Sequence, residues 1–127
     1  MKLLLDTHVL MWWLAAPERL SSDALSALSS GRALVWSVAS TWELAIKVAL
    51  GRLELSSPLP QFISKVVKDE RLEILPIHQT HALAVADLPK HHRDPFDRIL
   101  IAQALVEKLH VVSSDRTLER YGVHLIW

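Results

Sequence analysis

Apolar residues fall into short unbroken runs separated by longer stretches with a helical period. Five runs read as strands: Lys2–Leu5, Ala33–Val38, Leu72–Leu75, His110–Ser113 and Val123–Ile126. Most do not alternate apolar with polar, as in Leu3-Leu4-Leu5, Leu34-Val35-Trp36 and Val111-Val112. Runs of that kind suit strands covered on both faces, which belong to parallel sheets. Between them lie segments of helical length: Ser22–Ser30, Thr41–Leu50, Pro60–Lys68, Thr80–Asp87, Pro95–Leu109 and Asp115–Tyr121. The clearest is Pro95–Leu109, with apolar residues at 96, 99, 100, 102, 105, 106 and 109 on a 3.6-residue period. Gly122 stands where a helix beginning at Asp115 should stop. Trp12 and Trp13 sit side by side on a further short helix and cannot both face one core. Strands alternating with helices predict a three-layer α/β/α sandwich around a mostly parallel sheet.

Length and composition narrow this picture. A chain of 127 residues, 50% hydrophobic and 22% charged, predicts one globular domain over residues 1–127. Fourteen basic and fourteen acidic residues balance to zero net charge, so a polyanion partner needs a local feature rather than bulk charge. The absence of cysteine excludes disulfides, thiolate catalysis and Cys-based zinc sites. Val9–Ala16, the longest apolar run, falls well short of the ~20 residues of a membrane span. The N-terminal apolar stretch is broken too early, by Asp6 and His8, for a secretory core. A soluble cytoplasmic protein is expected.

In open α/β sheets, ligands bind beyond the carboxyl ends of the strands, where the strand order switches. Asp6 closes the first run and Asp115 follows the fourth. Glu43 and Asp97 lie near the starts of two helices. Four carboxylates converging on one sheet edge would raise each other's pKa, and a divalent cation would remove that conflict. All-oxygen ligands suit Mg²⁺ or Mn²⁺. Such an ion can neutralise a phosphodiester and lower the pKa of an attacking water. Each acid also has a local reading. Ser40-x-x-Glu43 has the form of a capping box. Asp94 before Pro95 has the form of an N-cap, with Asp97 in the first turn. Asp6 and Asp115 could cap the helices that follow them.

Other chemistries find less support. His78 and His81, and His91-His92, lack the carboxylate pattern a zinc site needs. No Gly-x-Ser-x-Gly elbow is present, and glycine occurs only at 31, 51 and 122, so there is no phosphate-cradling loop. A receiver-like phosphotransfer domain would need an acidic pair ahead of its phospho-accepting Asp and a Lys at a late strand end. Neither fits.

The motifs do resemble one family throughout the chain and in its order. Leu3-Leu4-Leu5-Asp6-Thr7-His8, Ser40-x-x-Glu43, His92-Arg93-Asp94-Pro95-Phe96-Asp97-Arg98 and Val112-Ser113-Ser114-Asp115 resemble the four acidic motifs of PIN-domain ribonucleases, specifically VapC-type toxins of toxin–antitoxin pairs. Ser113 stands where Thr is usual and keeps the hydroxyl. The resemblance implies a five-stranded parallel sheet in the order 3-2-1-4-5. It implies Mg²⁺- or Mn²⁺-dependent endonucleolytic cleavage of RNA, leaving a 5′-phosphate and a 3′-hydroxyl. Asp6, Glu43, Asp97 and Asp115 would be the catalytic and metal-binding acids. Thr7 and Ser113 would hold a water or a phosphate oxygen. Asp94 would cap its helix and add to the electrostatics. Arg98 would pair with Asp94 along the helix or touch a phosphate. Lys47, Arg93 and Arg116 would line the RNA groove. The implied partners are RNA, a VapB-type antitoxin and a second copy in a homodimer. Trp12, Trp13, Leu14 and Leu20 would supply a groove for the antitoxin. The alternatives in the same fold are a PIN nuclease of RNA maturation and a non-catalytic interaction module.

Overall fold

A computed structural model describes residues 1–127. The apolar runs form one sheet of five strands: β1 (Leu3–Leu5), β2 (Leu34–Ser37), β3 (Glu73–Leu75), β4 (His110–Val112) and β5 (Leu125–Ile126). Their order is β3-β2-β1-β4-β5, and every neighbouring pair is parallel. β1 is central, and all three of its leucines are fully buried. Successive side chains on a strand point to opposite faces. Leu3 and Leu5 accordingly pack with Val9, Leu10, Leu44 and Val66. Leu4 packs with Val35, Ile101, Ala104 and Leu118 on the other side. Both faces are thus covered by helices, which accounts for the non-alternating sequence of the strands and gives the expected three layers. No helix is long and apolar enough to cross a membrane.

The helices are α1 (Thr7–Ala15), α2 (Ser22–Leu28), α3 (Val38–Ala49), α4 (Leu59–Asp69), α5 (Gln79–Ala84) and α6 (Pro95–Glu107). The last expected helix is a 3₁₀ segment, Arg116–Tyr121. It ends at Gly122, whose φ of 82° is the left-handed conformation that a Cβ disfavours. α3 begins three residues earlier than its periodicity suggests, because Ser37 rather than Ser40 is the N-cap, accepting from Ala39 N–H. The capping-box reading of Ser40 and Glu43 is therefore overturned. Ser40 is buried inside the helix, and Glu43 lies beyond its first turn.

α6 also differs in detail. Its fully enclosed residues are Ile101, Ala102, Gln103 and Ala104, while Leu105 and Val106 of the expected apolar stripe are exposed. The helix is wedged between the sheet and the α3–α5 side. Gln103 ties the helix to the ends of β2 and β3, accepting from Ser37 Oγ at 2.5 Å and donating to Pro76 O at 3.2 Å.

The two indoles near the N-terminus both pack on the larger core cluster. Trp12 lies 6.0 Å from Trp127, with the Arg19 guanidinium 4.5 Å above its ring. Leu20 belongs to the core itself, so it lines no surface groove; only Leu14 of that expected set is exposed.

β1 and β4 are paired Leu5 to Val112, and the Asp6 N–H extends the ladder to Val112 O at 3.1 Å. This register sets Asp6 beside Ser113. Leu5→Ala should cost about 2–5 kcal/mol, because a fully buried leucine leaves a cavity that the sheet cannot close. Chemical denaturation would measure it, and a loss below about 1 kcal/mol would contradict the packing described.

Candidate active site

The sheet order changes direction between β1 and β4, and a small crevice opens beyond their carboxyl ends. It is lined by Leu4, Leu5, Asp6, Asp97, Leu100, Ile101, Val111, Asp115 and Leu118, and its volume is about 20 Å³. That is room for one body the size of a water molecule. Three acids widely separated in sequence thus share one mostly apolar cavity. Glu43 is outside the lining, yet its charge and that of Asp6 both act on Asp97.

Asp6 is half-buried at the junction of β1 and α1. Its Oδ1 accepts from the His8 N–H at 3.1 Å, capping α1, and its Oδ2 accepts from the Ser113 hydroxyl at 2.7 Å. Burial works against ionisation of Asp6. Hydrogen bonds from His8 and Ser113 outweigh it and hold the carboxyl below the usual carboxylate range. The same contact with Asp6 raises the His8 imidazole above its ordinary value.

Asp115 caps the last 3₁₀ segment by accepting from Thr117 N–H at 3.0 Å. Its Oδ2 lies 2.5 Å from His92 Nε2. Ser113, fully buried, joins the two acids: its hydroxyl donates to Asp6 and accepts from the Asp115 N–H at 3.1 Å. The local capping reading of Asp6 and Asp115 is therefore true as geometry, but it uses only part of each carboxylate.

Asp97 is different. Asp94 supplies the cap of α6, accepting from Phe96 N–H at 2.7 Å and Asp97 N–H at 3.4 Å. The Asp97 carboxylate has no hydrogen-bond donor of its own. Burial, then the charges of Asp94, Asp6 and Glu43, push its pKa up to about 6, against a lowering by His92. This is the conflict expected of acids gathered in one place. Glu43 is relieved by Lys47, 3.1 Å away one turn along α3.

No three acidic or imidazole side chains are arranged as a ready-made metal-ligand group. The reason is local: Asp6 is turned to Ser113 and His8, and Asp115 to His92 and Thr117. The donor chemistry still suits a hard cation, because all the lining polar groups are carboxylates and one of them lacks any neutralising partner.

The hydroxyls expected to reach substrate are turned to protein partners. Thr7 is buried and donates to Ser40 Oγ at 2.8 Å, and Ser113 acts between the two acids as described. Arg98 does not pair with Asp94 along the helix. Its guanidinium donates to the carbonyls of Pro89 (2.9 Å), Val85 (3.1 Å), His92 (3.4 Å) and Leu88 (3.4 Å), pinning the loop that precedes α6. Arg98→Met should remove all four donors and keep most of the aliphatic stem. A loss of about 1–3 kcal/mol and faster amide exchange across residues 85–92 are expected. Unchanged exchange protection there would contradict the clamp.

Of the cations near the acids, Lys47 pairs with Glu43 and Arg116 with Glu119, whereas Arg93 is exposed and makes no ion pair. Sequence reasoning missed the contacts of His92 and Tyr121. His92 was visible only as one of two histidines in a polar loop, and nothing local joins it to a tyrosine 29 residues on.

The chain matches the PIN domain family over residues 3–123. Ribonuclease VapC22 of Mycobacterium tuberculosis is 33% identical to it over 119 residues, 93% of this chain and 90% of that protein. Solved structures of similar fold include VapBC2 from Rickettsia felis bound to a DNA fragment from their promoter. It has a TM-score of 0.71 at 18% identity, covering 98% of this chain and 97% of that chain. VapBC-1 from nontypeable Haemophilus influenzae has a TM-score of 0.70 at 19% identity, covering 98% and 96%. At such identities the structural likeness shows the fold alone. The family match across the described fold, together with the VapC relative, shows that this chain belongs to the PIN-domain family, in its VapC type.

Proposed function

We propose that this chain is the endoribonuclease toxin of a type II toxin–antitoxin pair, acting in the cytoplasm on RNA phosphodiester bonds. The observation that carries the reading is the shared cavity of Asp6, Asp97 and Asp115 at the β1–β4 switch, with Asp97 driven up to about 6 by burial and neighbouring charge. The VapC22 relative, named a ribonuclease, supports the activity. The VapBC complexes of like fold support a VapB-type antitoxin as partner. A homodimer is part of the same proposal.

Asp6, Glu43, Asp97 and Asp115 would hold Mg²⁺ or Mn²⁺. A bound ion would supply charge neutralisation at the phosphodiester and a lowered pKa for the attacking water. Ser113 fixes Asp6 through its Oδ2 and ties it to the β4 end, so the two strand-end acids keep a set separation. Lys47 holds Glu43 toward its own helix turn, which limits the repulsion felt by Asp97. The apolar walls from Leu4, Leu100, Ile101 and Val111 lower the local dielectric, which strengthens every charge interaction inside. Arg93, exposed in the loop before α6, would meet a phosphate.

The test is cleavage of end-labelled single-stranded RNA by the purified chain with Mn²⁺, with Mg²⁺ and with chelator. Cutting that needs the metal and leaves 5′-phosphate and 3′-hydroxyl ends is expected. Cutting that persists in chelator, or products with cyclic phosphate ends, would refute the proposal.

A further inference from the structure

One contact at the site is explained neither by capping nor by the proposed ligand set. His92, in the loop before α6, is nearly enclosed, and both of its ring nitrogens are engaged. Nδ1 is 2.8 Å from the Tyr121 hydroxyl, and Nε2 is 2.5 Å from Asp115 Oδ2. These contacts continue into one connected chain. The His91 backbone N–H donates to the Tyr121 oxygen at 3.1 Å. The Tyr121 hydroxyl thus ties the ring of His92 to the His91 backbone. An ionised carboxylate only accepts, so the Nε2 proton is donated to Asp115. Every polar atom of this chain of bonds is satisfied, which a buried network requires.

Asp115 consequently has two anchors from different parts of the fold. Thr117 N–H holds Oδ1 and His92 holds Oδ2. A carboxylate oxygen can accept from more than one direction, so each keeps capacity facing away from its anchor. With one anchor the carboxylate would turn about its last bond; with two its plane is fixed. The loop that carries His92 is itself fixed, because Arg98 donates to four carbonyls in it and in the turn just before it, including that of His92. Arg98 stands next to Asp97 on the first turns of α6. One helix start thus presents an acid to the cavity and secures the loop that orients another.

We propose that His92 is a positioning residue for Asp115, held in place by Tyr121, and that the divalent-metal affinity of the acid cluster depends on it although it is not a ligand. This rests on the carboxylate site proposed above. An imidazole that orients a ligating carboxylate acts as an outer-shell partner, whose loss typically weakens metal binding by about 10–100-fold.

The experiment is Mn²⁺ titration of the metal-free chain, followed by the electron paramagnetic resonance signal of the free ion. Wild type, His92→Ala, His92→Gln and Tyr121→Phe are compared, each with its metal-free melting temperature. His92→Ala should weaken Mn²⁺ binding by about 10–100-fold. His92→Gln, whose amide can donate to Oδ2, should recover much of it. Tyr121→Phe should shift affinity in the same direction as the alanine variant, by less. The glutamine and phenylalanine variants keep the comparison decisive if the alanine variant unfolds. Affinity unchanged in the variants would overturn the inference and leave His92 as packing. Tighter binding by His92→Ala would also overturn it, since His92 would then compete with the ion for Asp115. No Mn²⁺ binding by the wild type would overturn the carboxylate-site reading and this inference with it.

Discussion

Asp6→Asn should reduce metal-dependent RNA cleavage by at least about 100-fold, beyond the 10–100-fold usual for an outer-shell partner. The substitution is chosen because it separates charge from geometry. Asn is as good an N-cap as Asp, so its amide oxygen can still accept from His8 N–H and keep α1 closed. The Ser113 hydroxyl can still be paired. What disappears is the negative charge at the β1 end. The hydrogen bonds that hold the Asp6 carboxyl below its ordinary range stabilise the fold in its ionised form. That contribution is present above the unfolded pKa and is lost as pH falls through the lowered folded value. Asp6→Asn should therefore lose a little stability at neutral pH and nearly all activity. Full cleavage by a folded Asp6→Asn would mean that the residue is a cap and nothing more.

Asp97→Asn should do the reverse to stability. A carboxyl at about 6 in the fold, against an ordinary value of 3.8, is penalised for ionising. The folded chain then binds more protons than the unfolded chain between these values, so stability falls as pH rises through that window. Above it the penalty is complete. A displacement of this size is worth about 3 kcal/mol unscreened. Asp97 is only half-buried, and screening by solvent reduces the figure to about 1–2 kcal/mol. Asp97→Asn should raise metal-free stability by that amount at pH 7.5, and flatten the decline between about pH 4 and 6. It should also shrink the rise in melting temperature produced by Mg²⁺ or Mn²⁺, which depends on affinity for the folded state. Thermal melts of both proteins with and without metal measure this. An unchanged metal effect together with lower metal-free stability would make Asp97 a first-turn dipole acid only.

Much of the architecture was legible because it depends on local patterns. Leu3-Leu4-Leu5 reads as a strand covered on both faces, and the structure buries it completely. Asp94-Pro95 reads as a helix start, and Asp94 is the cap of α6. The strand order came from the resemblance of the motifs, since periodicity does not order strands. The misreadings have a common cause. Ser40 lies in a sequence that fits a capping box, but Ser37, at the end of β2, starts the helix first and carries Ser40 inward to meet Thr7. Arg98 has an acid four residues back, but the carbonyls of residues 85–92 surround its guanidinium in space. Ser113 and His92 act through partners 107 and 23 residues away. Local spacing holds no trace of such pairs, because tertiary packing alone brings them together.

The central claim is that the acids of the β1–β4 crevice bind one divalent ion together. Crystals grown or soaked with Mn²⁺ and measured for anomalous scattering test it most directly. The expected result is a manganese peak in the cavity shared by Asp6, Asp97 and Asp115, with Asp97 turned toward it. A peak only at surface histidines such as His110 and His124, or none at millimolar Mn²⁺, would contradict the account and leave Asp6 and Asp115 as caps, Glu43 as an ion-pair partner and Asp97 as a first-turn acid of a PIN fold.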